Sequence, residues 1–246
     1  PDDIYHLSKL AIMEYLTSGI TANADMYLTP DTMIQASEDC GFRTTVIGAV
    51  NDFTQSVKEV ENWYEKYHKE DGLTSYELGF HAEYTTKREI LEGISELSKK
   101  YHAPIYTHNS ESASEVAQCV ERTGMTPTVY MEQLGLFEYG GGLYHCVHMS
   151  EEDLDVVKRH QISVITNPAS NLKLASGIAP IEEMLKRNID LAIGTDGPAS
   201  NNCLDMFREM FLVTALAKYR ENDASAVDAA EVLKMATTGG AKAMNL

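Results

Sequence analysis

The chain has 246 residues, of which 43% are hydrophobic, and this size and composition suit one large α/β domain spanning residues 1–246. Its formal net charge of −17 at pH 7 argues against a nucleic-acid partner, and no apolar run approaches the roughly 18 residues that a membrane span requires. Four cysteines lie far apart without a C-x-x-C pattern, which indicates a protein of the reducing cytoplasm rather than a cysteine zinc site.

Short β-like runs alternate with longer amphipathic segments. The predicted strands are Ile20–Asp25, Thr44–Val50, Tyr76–His81, Pro104–His108, Gly142–Val147, Ile162–Thr166 and Leu191–Asp196. The predicted helices are Asp31–Cys40, Val57–His68, Lys87–Tyr101, Ser112–Thr123, Glu151–His160, Ile181–Arg187, Leu204–Arg220 and Ala226–Met235. Apolar residues recur in these helices at three- and four-residue steps, as at Ile90, Ile94 and Leu97, and Ser225 or Asp223 is the expected cap of the last helix.

Repeated strand–helix units predict a parallel sheet with right-handed crossovers. Seven strands with their helices resemble an eight-stranded (β/α)8 TIM-like barrel that lacks one strand. A doubly wound open sheet is the competing architecture. No Gly-x-Gly-x-x-Gly pattern follows the first predicted strand, which weakens a dinucleotide-binding interpretation of such a sheet.

The segment Gly194–Gly197 places an acid where an apolar strand meets a polar loop. The run Ile189–Ile193 precedes Asp196, and α/β enzymes keep catalytic groups at such strand ends. The alternative is a plain turn in which Asp196 or Ser200 caps the next helix.

Three earlier strands also end in polar side chains. The third predicted strand ends in His81, the fourth in His108 with Glu111 three residues later, and the fifth contains His145. In a closed parallel barrel these residues converge with Asp196 on one face. Each has an alternative role, since a histidine at a strand end is often structural and Glu111 suits the positive end of a helix dipole.

The converging set suits metal-assisted hydrolysis. Neutral imidazole and carboxylate bind Zn²⁺ or Fe²⁺, and such an ion lowers the pKa of water toward ~7. We expect His108 and Asp196 to be metal ligands and Glu111 to move a proton. Asp25 is either a supporting partner or a turn residue. The remaining histidines are interpreted as structural or surface residues, namely His6, His68, His102, His148 and His160.

At these residues the chain resembles the amidohydrolase superfamily, in particular its 5-methylthioadenosine/S-adenosylhomocysteine deaminases and triazine chlorohydrolases. The most specific matching stretches are Asn167–Pro180 and Gly194–Asn202. Thr107–Glu111 is similar to the family's His-x-x-Glu, His145–His148 to its next strand end, and Gly19–Tyr27 to its Gly-Thr-Thr-x-x-x-Asp-Met-Tyr stretch.

The resemblance implies a metal-dependent hydrolase that removes ammonia from an aminopurine or related ring. It implies that His108 and Asp196 bind one divalent metal, zinc or alternatively iron. Glu111 would protonate a ring nitrogen of the substrate, and Asp196 would accept the proton of the attacking water. His145 would orient that water and the leaving group, and His81 would contact the substrate.

Four departures from the family pattern stand out. The family's His-x-His, on the first barrel strand, is absent here, so we expect that strand to precede Pro1. The flanking β-sandwich, which the family forms from both termini, is missing as well. In the adenosylhomocysteine deaminases an Arg holds the amino-acid carboxylate of the substrate, and Ile47 stands at that position here. A second such Arg of those enzymes has no counterpart near Gln55–Lys58. Thr166 replaces a His, and Glu83 replaces a Pro.

Three functions therefore stay open. The first is a deaminase of aminopurine nucleosides or similar heterocycles. The second keeps the fold but changes the leaving group, as in a chlorohydrolase or another C–N hydrolase. The third is a barrel with an incomplete metal site, since two protein ligands are fewer than the three that catalytic zinc usually keeps. The expected partner is a small-molecule substrate, with a homo-oligomer as a further possibility.

Overall fold

The computed structural model describes residues 2–246 and contains one parallel sheet of seven strands. The strands are β1 Ala22–Met26, β2 Arg43–Ile47, β3 Thr74–Ala82, β4 Ile105–Asn109, β5 Gly141–His145, β6 Ser163–Thr166 and β7 Leu191–Ile193. Their order in the sheet is the order in the chain, and every adjacent pair is parallel. In a doubly wound sheet the strand order reverses at a switch point, and no such reversal occurs here. The fold is therefore a partial (β/α)8 TIM-like barrel.

Helices follow the strands. They are α1 Asp2–Thr17, α2 Pro30–Cys40, α3 Val57–Tyr67, α4 Arg88–Tyr101, α5 Ala113–Thr123, α6 Pro127–Gln133, α7 Glu151–Arg159, α8 Pro168–Lys173, α9 Ile181–Lys186, α10 Pro198–Asn201, α11 Met206–Glu221, α12 Ala229–Lys234 and α13 Gly240–Ala243. A 3-10 turn at Glu83–Thr85 and a π-helical turn at Met235–Gly239 complete the structure. None of the helices within residues 2–246 has the length and hydropathy needed to cross a membrane.

Five of these helices, α1, α6, α8, α10 and α13, were not predicted. In α1 the apolar side chains do not mark a buried face, because Leu7, Leu10 and Met13 are all more than half exposed. Helices α8 and α10 have six and four residues, too few for a helical period to be read. Both begin at a proline, Pro168 and Pro198, which is the residue type favoured at the first helical position.

Two predicted helix caps are wrong. Asp228, rather than Ser225 or Asp223, caps α12, and its carboxylate accepts the backbone N–H groups of Ala230 and Glu231. The carboxylate of Asp223 instead closes a turn by accepting the N–H of Ser225 at 2.8 Å. Gly197, not Asp196 or Ser200, is the residue that precedes α10.

The second strand also ends earlier than predicted. It stops at Ile47, and Val50 makes only an isolated bridge to Phe80. Gly48 follows the strand, and a Cβ on it would lie 2.9 Å from the carbonyl oxygen of Gly79. The backbones of β2 and β3 approach closely at this point, near the mouth of the barrel.

The two faces of the sheet carry separate apolar clusters. The large core between sheet and helices contains Val46, Ile105 and Leu143. Their sequence neighbours Ile47, Tyr106 and Tyr144 form a second cluster with other strand residues, Ala24, Met26 and Ile165. Because side chains alternate across a strand, this second cluster fills the concave inside of the barrel. The carboxyl ends of the strands therefore open above a packed floor.

Gly141 tests how tightly β4 and β5 pack. Its φ is +137°, and a Cβ would lie 1.8 Å from the carbonyl oxygen of Ile105. Gly141→Ala should therefore lower the free energy of unfolding by about 3 kcal/mol or more in urea titrations. Gly124→Ala is the control, because Gly124 has φ +76° with no atom within 4 Å of the added Cβ. It should cost only about 1 kcal/mol, and an equal cost for both would contradict the steric explanation.

Candidate active site

Two histidines are joined at the carboxyl ends of β3 and β4. The register shifts between Gly79 and Ala82, so that β3 carries an extra residue opposite β4. This irregularity brings the carbonyl oxygen of His81 to 2.6 Å from Nδ1 of His108. A carbonyl only accepts, so Nδ1 of His108 carries the proton and Nε2 keeps its lone pair.

The imidazole of His108 has the properties of a metal ligand. Burial, helped by the nearby His145 and His81, lowers the pKa of His108 to about 3. The ring is therefore neutral at pH 7, which is the form that binds a cation. A ligand histidine usually donates its other ring N–H to a carbonyl or carboxylate, as His108 does to His81.

The ring of His81 lies beside His108, with 5.0 Å between the ring centroids. Its Nδ1 lies 2.8 Å from the hydroxyl of Thr85, which itself donates to the carbonyl of Ala82. Nδ1 of His81 is thus the donor, and Nε2 is the nitrogen that remains available for a substrate. Burial lowers the pKa of His81, so its neutral form is favoured.

Glu111 follows β4 in a loop whose backbone is hydrogen-bonded to the side chain of Glu115. The buried carboxylate of Glu115 accepts the N–H groups of Ser110 and Glu111 at 2.9 Å and that of Ser112 at 3.4 Å. These bonds fix Ser110 in the left-handed region, with φ 49°. The carboxylate of Glu115 thus sets the shape of this loop.

The two oxygens of Glu111 have different surroundings. Oε1 accepts a hydrogen bond from the hydroxyl of Ser176 at 3.0 Å, while Oε2 lies 3.8 Å from Nε2 of His145. Ser176 is itself anchored, because its carbonyl accepts Nε2–H of His148 at 2.7 Å. Oε2 is therefore the oxygen that Ser176 leaves free and that faces His145.

His145 ends β5 with a φ of 69°, a left-handed conformation that is unusual for a residue other than glycine. Its Nδ1 lies 2.8 Å from Oδ1 of Asn171, an oxygen that can only accept. Nε2 consequently faces Glu111. The rings of His145 and His108 stack with 5.5 Å between centroids, so β4 and β5 present their histidines to the same space.

Asp196 lies three residues beyond β7, also in a left-handed conformation with φ 58°. Its Oδ2 accepts from the hydroxyl of Ser170 and its Oδ1 from the N–H of Gly197, both at 2.6 Å. Burial lowers the pKa of His108 and raises that of Asp25, and the negative charge of Asp196 opposes the first shift and adds to the second. The carboxylate of Asp196 therefore faces the same interior as both groups. The alternative role of Asp25 as a turn residue is wrong, because it lies within β1.

Helix α8 links two of the predicted site residues. Its neighbouring residues Ser170 and Asn171 bond Asp196 and His145 respectively. Sequence reasoning singled out the stretch Asn167–Pro180 as distinctive but assigned no role to these side chains, nor to Ser176. The pattern itself was the available signal, since a polar cluster directly after a buried strand lies at the carboxyl face of a barrel.

The departures from the family pattern occupy ordered positions. Glu83 is buried and both of its carboxylate oxygens accept from Nη2 of Arg122, at 2.8 and 2.9 Å. Thr166 is buried at the end of β6, where it pairs with Ile193. Ile47 is fully buried among the side chains inside the barrel. Ile47 therefore supplies no cationic group at this mouth.

His108 and Asp196 could supply two of the ligands of a metal site. Within residues 2–246 no group of three or more His, Cys, Asp and Glu side chains is arranged to hold a metal ion. His108 offers an open Nε2, and Asp196 offers carboxylate oxygens on the same side of the barrel. Catalytic zinc usually takes three protein ligands, so these two residues would need a further ligand beside them.

A model of the Amidohydrolase family matches residues 1–246, and the chain belongs to this family. A 5-methylthioadenosine/S-adenosylhomocysteine deaminase of Caldanaerobacter subterraneus subsp. tengcongensis is 40% identical over 252 residues, with 99% of this chain and 58% of that protein covered. The chain thus spans about three fifths of the length of this relative. The predicted family resemblance is confirmed.

Solved structures support the same fold. The zinc-bound adenosine deaminase from Xanthomonas campestris is 34% identical and has a TM-score of 0.94, covering 100% of this chain and 57% of the other. Atrazine chlorohydrolase from Arthrobacter aurescens TC1, solved with zinc, has a TM-score of 0.89 at 24% identity, covering 99% of this chain and 60% of the other. At that identity the second likeness concerns the fold alone.

The crowding of carboxylates at the mouth predicts a pH-dependent stability. Burial, with the charge of Asp196, raises the pKa of Asp25 from 3.8 to about 6. The folded metal-free protein therefore holds this proton more tightly than the unfolded chain. The stability that it contributes is present below about pH 4 and is lost as the pH rises through about 6.

Asp25→Asn should remove the loss of stability that Asp25 causes as the pH rises. The variant should gain about 1–3 kcal/mol over the wild type at neutral pH and gain little at about pH 4, as measured by chelator-treated denaturant titrations. Asp71→Asn, at an exposed carboxyl before β3, is the matched control. A constant difference between Asp25→Asn and the wild type across this range would rule out the electrostatic origin.

Proposed function

We propose that this chain is the main part of the catalytic barrel of a metal-dependent hydrolytic deaminase, with an aminopurine nucleoside or a similar amino-substituted heterocycle as substrate. The observation that carries the proposal is the pair of Glu111 and His145, whose Oε2 and Nε2 face each other across 3.8 Å beside the neutral His108. The names of the deaminase relatives support the same substrate class.

His108 and Asp196 are the residues that would hold the metal. The open Nε2 of His108 and the carboxylate of Asp196 suit zinc, and iron is the alternative. A bound divalent ion would supply an activated water at neutral pH. The remaining ligands, predicted as a His-x-His on a preceding strand, stay a prediction.

Glu111 is the proposed acid. Its Oε1 is occupied by the hydroxyl of Ser176, so the proton is carried on Oε2 and delivered to a ring nitrogen. Protonation of the ring makes the amino-bearing carbon more electrophilic. The amino group leaves as ammonia only after it gains a proton, whereas chloride leaves as an anion. A carboxylic acid at this place therefore favours deamination over the chlorohydrolase alternative.

Three other side chains complete the proposed chemistry. Asp196 accepts the proton of the attacking water, and its bonds from Ser170 and Gly197 fix the direction of its oxygens. His145, held by Asn171, orients the water and the departing amine through Nε2. His81 contacts the substrate through the ring nitrogen that Thr85 leaves free.

The four cysteines, Cys40, Cys119, Cys146 and Cys203, are free thiols, which supports a cytoplasmic location. The proposed partner is the small-molecule substrate alone, and a homo-oligomer stays a prediction.

Glu111→Gln should nearly abolish deamination, because an amide cannot supply the proton. In the full-length protein, ammonia release from adenosine or 5-methylthioadenosine should fall by about a hundredfold to ten-thousandfold at unchanged zinc content. Glu121→Gln, at an exposed glutamate on the following helix α5, should keep wild-type activity. Zinc-loaded wild type that releases no ammonia from any aminopurine would refute the proposed function.

The interior of the barrel also predicts a substrate preference. Ile47 is buried and apolar, and residues 55–58 contain no arginine, so neither of these two positions offers a guanidinium to the amino-acid carboxylate of S-adenosylhomocysteine. We expect kcat/KM for 5-methylthioadenosine to exceed that for S-adenosylhomocysteine by about tenfold or more. Adenosine, which lacks the anionic tail, serves as the control. Equal values for all three nucleosides would contradict this preference.

A further inference from the structure

Glu209 is a buried carboxylate that none of the proposed chemical steps uses. It lies in the first turn of α11 and is 0% exposed. Burial raises its pKa, while the N–H of Ala169 and the amide of Asn201 oppose that effect. Its Oε2 accepts the N–H of Ala169 at 3.0 Å and its Oε1 accepts Nδ2 of Asn201 at 2.8 Å. A carboxylate is seldom buried this completely unless its oxygens are bonded.

These two bonds join the loops that follow β6 and β7. Ala169 lies in α8, next to Ser170, whose hydroxyl bonds Oδ2 of Asp196. Asn201 ends α10, and the same Nδ2 donates to the carbonyl of Thr195 at 2.7 Å. Thr195 immediately precedes Asp196 in the chain. Glu209 is therefore connected to Asp196 by two routes. One runs through Ala169 to Ser170, which bonds the carboxylate of Asp196, and the other runs through Asn201 to Thr195, which precedes Asp196 in the chain.

The backbone of Asp196 needs such support. Its φ of 58° is left-handed, and this conformation persists in residues other than glycine only where the surroundings determine it. Asn201 is 1% exposed and is also bonded by Nη1 of Arg208 at 3.1 Å, so its amide orientation is fixed. The chain of bonds from Glu209 through Asn201 to Thr195 thus runs inside the protein, away from solvent.

We propose that Glu209 is a positioning residue for Asp196. Glu209 ties α8 and α10 together, so that Asp196 meets the metal and the attacking water at a fixed angle. This inference rests on the proposed role of Asp196. It assigns to Glu209 no contact with substrate or metal.

Glu209→Gln tests the inference at nearly constant volume. Glutamine has one acceptor oxygen for two donors, so either Ala169 or Asn201 meets an NH2 group instead of an oxygen. In the full-length protein we expect the zinc Kd, measured by competition with a chelator, to rise about 10- to 100-fold. The kcat of zinc-saturated enzyme should fall while KM changes little.

Glu182→Gln is the matched control. The carboxylate of Glu182 accepts the N–H of Val227 at 3.0 Å, and Val227 also has a left-handed backbone with φ 45°. This bond lies outside the two loops that hold Asp196. The control should lose stability without a change in zinc Kd, which separates positioning of the site from general loss of structure.

Two further variants decide the remaining outcomes. If Glu209→Gln fails to fold, Asn201→Ala breaks the same link from the other side and should weaken zinc binding likewise. If folded Glu209→Gln, or Asn201→Ala in its place, binds zinc no more weakly than Glu182→Gln does, the inference is overturned. Asp196→Asn should bind zinc more weakly than either variant. If Asp196→Asn binds zinc like the wild type, the proposed function fails instead.

Discussion

The left-handed backbone at the ends of three barrel strands is the constraint on which the site depends. Ser110, His145 and Asp196 all have φ between 49° and 69°, and each lies where a parallel strand gives way to a loop. Such a conformation costs about 1–3 kcal/mol for a residue with a side chain. It turns the chain sharply, so that the side chains at the strand ends point into the mouth instead of following the next helix.

Hydrogen bonds from buried polar groups hold these turns. Glu115 accepts three N–H groups of the loop after β4, while Asn171 holds His145 and Ser170 holds Asp196. Because α8 supplies two of these partners, a shift of α8 would move His145 and Asp196 together. His145 and Asp196 are thus linked through one helix, although they lie far apart in the sequence.

Sequence reasoning could predict the strands and the polar strand ends, because hydrophobic runs that stop at His, Glu or Asp are visible without a structure. It could not predict the supports. Ser170 and Asn171 lie in a six-residue helix that is too short to show a period. Glu209 looked like any helical glutamate, since its burial depends on two loops that fold against α11 from elsewhere in the chain. The cap at Asp228 was missed because Asp223 and Ser225, which bond each other, carry the same cap signature.

The most direct test is a crystal structure of the zinc-loaded full-length protein, with the ion located by anomalous scattering at the zinc edge. We predict a single ion at the mouth of the barrel, with Nε2 of His108 and a carboxylate oxygen of Asp196 both at about 2.0–2.2 Å from it. An ion bound elsewhere, or one that touches only one of these two residues, would contradict the convergence on which the proposed function is built.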